Sequence, residues 1–72
     1  MGTKVGNYIV EKCFDMDTNR DFFEVYMSTE DELFGEYVGE IQMKDAIANR
    51  LVDEDGEIDT NKMEYYIFVE MQ

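Results

Sequence analysis

The stretch Met63-Glu64-Tyr65-Tyr66-Ile67-Phe68-Val69-Glu70-Met71 sets the reading of the fold. Read with a period of two, it is a long strand, with Tyr65, Ile67 and Val69 opposite Tyr66 and Phe68. The residues from Phe22 to Thr29 alternate in the same way, setting Phe23, Val25 and Met27 against Phe22, Glu24, Tyr26 and Ser28. Before them, Val5 to Phe14 holds Tyr8-Ile9-Val10 and Cys13-Phe14, a strand-like mixture with apolar groups on both faces. The polar stretch Asp15 to Asp21 is rich in turn formers, so these two strands are expected to form a hairpin. Tyr37 to Ile41 predicts a third strand, with Tyr37 and Ile41 on one face, Val38 on the other and a bulge at Gly39.

One segment has helical spacing. Met43, Ala46, Ile47, Arg50 and Leu51 predict a helix over Met43 to Leu51, with Asp45 and Arg50 placed to suit its dipole. Thr29-Glu30-Asp31-Glu32 fits a capping box and Gly35 suits a helix stop, so a single helical turn, or simply a loop, is expected to join the second strand to the third. The expected order is β-β-β-α-β. That makes an α+β domain spanning residues 1–72, with a mainly antiparallel four-stranded sheet and one short helix on one face. The helix should cover Phe23, Val25, Met27, Tyr37, Ile41, Ile67 and Val69. Phe22, Tyr26, Val38, Tyr66 and Phe68 are then left on the far face.

Eighteen of the 72 residues are Asp or Glu, six are Lys or Arg and none is His, for a net charge of −12. With 44% hydrophobic residues and ten Phe or Tyr, the chain has the content of a folding domain rather than of a disordered acidic tail. Such charge opposes compaction through self-repulsion, so salt or a neutralising partner should stabilise the fold. Cys13 is the single cysteine, so no internal disulfide forms, and a buried, inert thiol is expected. No segment approaches the ~20 apolar residues of a membrane span, and the expected location is the cytoplasm.

The chemistry-bearing patterns are sparse. Asp15-Met16-Asp17-Thr18-Asn19 opens like a calcium loop, but Arg20 and Tyr26 stand where that loop needs its glycine and its bidentate Glu. Asp53 to Asp59 keeps the glycine as Gly56, with Leu51 and Lys62 in place of the first and last carboxylates. Both stretches read as acidic turns whose Asp and Asn side chains cap their own backbone. With no His and no Gly-rich phosphate loop, neither catalysis nor a cofactor or metal centre is expected.

The remaining expectation is electrostatic. A globule of this length has a radius of gyration of about 11 Å and a diameter near ~29 Å. Duplex DNA that long carries about 17 phosphate charges, comparable with eighteen carboxylates. In charge and size the chain is similar to virus-encoded (phage) inhibitors that occupy the nucleic-acid site of a host defence enzyme. The leading expectation is therefore a non-enzymatic inhibitor or nucleic-acid mimic. It would bind a basic protein of the nucleic-acid-binding kind, without touching nucleic acid or membrane itself. Its expected contacts are the carboxylates of the connections: Asp15, Asp17, Asp21, Glu30, Asp31, Glu32, Asp53, Glu54, Asp55 and Glu57. The alternative is a small homo-oligomeric structural or adaptor protein, a homodimer for instance, whose contact is an aromatic sheet face of Phe22, Tyr26, Tyr66 and Phe68. A divalent-cation-binding module is a third class.

Overall fold

The computed structural model describes residues 2–29 and 34–72. Four antiparallel strands follow one another as a meander: β1 (Thr3–Val5), β2 (Tyr8–Asp15), β3 (Arg20–Ser28) and β4 (Phe34–Gln42). The chain then turns into α1 (Met43–Ala48) and, after a polar connection, into α2 (Thr60–Tyr66), which continues as a π-helical turn over Ile67–Met71. The architecture is α+β with an open four-stranded antiparallel sheet. The expected order is corrected at both ends, because an extra short strand starts the sheet and the expected last strand is helical.

The sheet follows from local chemistry. Gly6 takes φ +57° in the two-residue turn joining β1 to β2, and a side chain there would run into the Glu64 carboxylate. The β2–β3 hairpin pairs Tyr8 with Met27, Val10 with Val25, Cys13 with Phe22 and Asp15 with Arg20. At its tip, Asn19 takes φ +57° and the Asp15 carboxylate accepts from the Asp17 amide at 2.9 Å. Between β3 and β4 the register shifts after Val25, so that Val25 faces Gly39 whereas Tyr26 faces Tyr37. That bulge leaves Val38 turned to the core and Tyr37 on the opposite face, the reverse of the alternation expected for them. Gly35 lies within β4 rather than ending a helical turn, and Glu30 to Glu32 of the expected capping box lie outside the described residues.

The helices close one face of the sheet. Val5, Tyr8, Val10, Phe23, Val25 and Ile41 from the strands meet Ala46, Leu51, Met63 and Ile67 in a single cluster. Each fully buried large side chain among these contributes about 1.5–3 kcal/mol. Helix α1 is shorter than expected, and it ends in a Schellman motif. Arg50 sits at φ +58°, its amide donates to Ile47 O at 3.1 Å, and the Leu51 amide donates to Ala46 O at 2.8 Å. Leu51 is thus buried from beyond the helix end, whereas Ile47, expected in the core, is 60% exposed.

The segment read as the final strand begins with a cap. Asp59 accepts from the Lys62 amide at 3.1 Å, satisfying one of the free donors of the first turn. Met63 and Ile67, four residues apart, are then buried on one side. Asp59 itself is fixed by donating its amide to Leu51 O at 2.8 Å, so one buried residue ties the two helices together. Among the described residues, no helix is long and apolar enough to cross a membrane.

Candidate functional site

With the helices on one face, the other sheet face is bare of secondary structure among the described residues. Strand pairing lays its side chains out in rows. The middle row is Glu11 on β2, Glu24 on β3 and Glu40 on β4, each at the directly opposed position. One row toward the hairpin tip stand Cys13, Phe22 and Gln42, and one row the other way stand Lys4, Ile9, Tyr26 and Tyr37. The Tyr26 and Tyr37 rings meet edge to face with centroids 5.4 Å apart. Ile9 beneath them is only 6% exposed, so this face has a small apolar floor of its own.

Three acidic groups on this face are held above their ordinary pKa values, first by burial and then by that row. The Cys13 thiol lies 3.3 Å from Glu24 Oε1, to which it donates, and its pKa is pushed up to about 11. Burial is the first cause, followed by the hydrogen bond to Glu24 and the charges of Glu24 and Glu11. The Tyr26 hydroxyl is raised by burial and then by Glu24 and Glu11, and that of Tyr37 by burial and then by Glu40 and Glu24. A thiol held this far above neutrality stays protonated and is a poor nucleophile. Gln42 caps the row by donating to Glu40 Oε1 at 3.4 Å.

Glu11, Cys13 and Glu24 bring a sulfur and two carboxylate oxygens within 4.8 Å of one another, close enough to surround a divalent cation. The raised thiol works against this, because a metal must displace its proton. The set lies on β2 and β3, away from the Asp53 to Asp59 stretch, and it shares only Glu24 with the Asp15 to Tyr26 stretch.

The expected contact residues are distributed differently. Asp15 and Asp17 stand at the hairpin tip and Asp21 at the start of β3. Asp53, Glu54, Asp55 and Glu57 belong to the connection between the helices, where Gly56, Glu57 and Ile58 share a groove with Lys12 and Phe23 on the helix side. Asp53 is occupied with its own loop, accepting from the amides of Asp55 and Glu57 at 2.9 Å each. Glu30, Asp31 and Glu32 lie outside the described residues. The expected aromatic face divides in two. Phe22 and Tyr26 lie on the open sheet face, whereas Tyr66 packs against the core from α2 and Phe68 is 68% exposed on the π-helical turn. Their grouping rested on a strand that is in fact helical.

The acidic row was not singled out from the sequence. Glu11, Glu24 and Glu40 are separated by thirteen and sixteen residues, and only register aligns them. Alternation alone already put Glu24 beside Tyr26. No protein-family model, curated protein or solved structure matches this chain.

Proposed function

We propose that this chain is a non-enzymatic acidic binding protein whose open sheet face occupies a basic surface of another protein, as an inhibitor or nucleic-acid-mimic-like regulator would. The observation that carries the reading is the row Glu11–Glu24–Glu40. Like charges directly opposite one another on neighbouring strands each cost about 0.2–1 kcal/mol. This row holds two such pairings on a face left open by the helices. A partner offering Arg or Lys side chains converts that cost into charge-assisted hydrogen bonds. Phe22 on one side of the row and the Tyr26–Tyr37 pair on the other are the residue types that anchor interfaces. The exposed acids of the hairpin tip and the α1–α2 connection add long-range attraction, which chiefly speeds encounter.

A groove built for nucleic acid is the natural counterpart. The molecule is 33 Å along its longest axis, and duplex DNA of that length carries about 19 phosphate charges, close to its eighteen carboxylates. The test compares the natural chain with a triple variant, Glu11→Gln, Glu24→Gln and Glu40→Gln. Both are immobilised and exposed to the heparin-binding proteins of the source cell. The expected result is a protein held by the natural chain, lost on the triple variant, released as salt rises and displaced by duplex DNA. Retention that survives the triple variant and ignores both salt and DNA overturns the reading.

A further inference from the structure

The helical layer has an outer surface that neither the core nor the acidic row uses. Met63 and Ile67 take the buried side of α2 and its π-helical extension. On the outside, Tyr65 is 70% exposed, Phe68 68% and Val69 48%. Beside them runs an open groove of about 330 Å³, whose lining includes Leu51, Asn61, Lys62, Tyr65, Val69 and Glu70. Exposed aromatic and branched side chains next to a groove are the makings of a contact surface.

Its charge is unlike that of the rest of the molecule. Among the described residues, the groove's only ionisable lining residues other than tyrosine are Lys62 and Glu70, which cancel, in a chain whose net charge is −12. A basic partner finds no attraction here, and a second copy of this chain meets less repulsion than against the acidic sheet face. The two charges also stand at opposite ends of the helical segment, with Tyr66 midway. An antiparallel overlay about Tyr66 therefore sets Lys62 of each copy opposite Glu70 of the other. The π-helical turn helps this alignment. Its wider turn advances each residue through a smaller angle than an α-helix does, so Glu70 lags back toward the line of Lys62.

We infer that a second copy of this chain packs on the outer surface of α2 and its π-helical turn, antiparallel about a two-fold axis, with Tyr65 beside the axis, Val69 further out and Lys62–Glu70 pairs at both ends. Such an arrangement is self-complementary, as a two-fold contact must be. One helix face falls short of the roughly 1,200 Å² of buried surface found in stable complexes, so the dimer is weak and forms at high concentration. It leaves both open sheet faces free, giving one assembly two acidic surfaces. The inference stands on the helical layer alone and does not depend on what the acidic row binds.

Sedimentation equilibrium at several hundred micromolar protein tests it, on Lys62→Glu, on Glu70→Lys, on both changes in one chain, and on an equimolar mixture of the two single variants. Two symmetric ion pairs predict that each single variant weakens self-association about tenfold. The double variant and the mixture should both restore it. Glu70→Lys is the decisive arm: it reduces the magnitude of the net negative charge, so simple repulsion would make it associate more strongly, whereas the antiparallel register makes it associate less. Tyr65→Ala should abolish association while leaving the circular dichroism unchanged. A monomer at every concentration, or a Glu70→Lys variant that associates more tightly, overturns the inference.

Discussion

Arg50 shows how much a single backbone position decides. Its charge at the end of a helical pattern suits the dipole, yet the residue sits beyond the helix end at φ +58°, where a glycine is usual. That left-handed residue swings Leu51 back against Ala46 and into the core. Arg50→Gly removes the cost of the conformation and should stabilise the fold by about 1 kcal/mol, read from the denaturation midpoint. Cys13 gives a second residue-scale expectation. Its thiol should be alkylated along a pH profile with a midpoint of about 11, and Glu24→Gln should move that midpoint down toward the ordinary 9.0. The neutral thiol is the form the fold favours. The associated stability is therefore complete below pH 9.0 and is lost as pH rises through about 11. A profile centred on 9.0 in the natural chain would show that the carboxylate row does not act on the thiol.

At the scale of elements, the β2–β3 hairpin was legible because turn chemistry and alternation agree there, whereas β4 was legible as a strand but not in its start or its faces. The segment Met63 to Met71 was not. Tyr65 to Val69 is apolar throughout and satisfies a period of two as readily as a helical stripe, and such short runs are ambiguous by pattern alone. The missed signal was Asp59, an N-cap three residues ahead of Lys62, followed by Met63 and Ile67 at a spacing of four. Asp59→Ala should cost about 1 kcal/mol, with loss of helical circular dichroism on mild heating. An unchanged melting curve would mean that tertiary packing alone holds α2. The bulge beside Gly39 is the other element-scale decision. It carries Tyr37 to the open face to meet Tyr26, and with the pairing of Glu24 to Glu40 it builds the candidate site. Glu24→Gln removes both like-charge pairings at once. It should raise stability by a few tenths to ~1 kcal/mol, a gain in the direction opposite to its effect on binding.

Over the whole molecule, the radius of gyration of 11.6 Å agrees with a compact chain of this length. Among the described residues one small cluster unites sheet and helices, so a charge introduced there disrupts the packing of both. Leu51→Asp should leave the chain unfolded at room temperature, seen as loss of a cooperative transition. Twelve uncompensated charges repel one another throughout that volume. The midpoint of thermal unfolding should accordingly climb with sodium chloride, and a midpoint indifferent to salt would show that local pairing outweighs the net charge.

By itself, the amino-acid order determined the acidity, the absence of histidine chemistry, the α+β class and the central hairpin. Each of these depends on composition or on residues a few positions apart, where period and turn preference act directly. Only the tertiary structure decided that the last apolar run is a helix, because its choice rests on which of two satisfied periods finds a sheet to cover. It alone decided that Glu11, Glu24 and Glu40 form one row. Cross-strand alignment comes from register and from a one-residue bulge, and a slip of one residue would send those carboxylates to the other face.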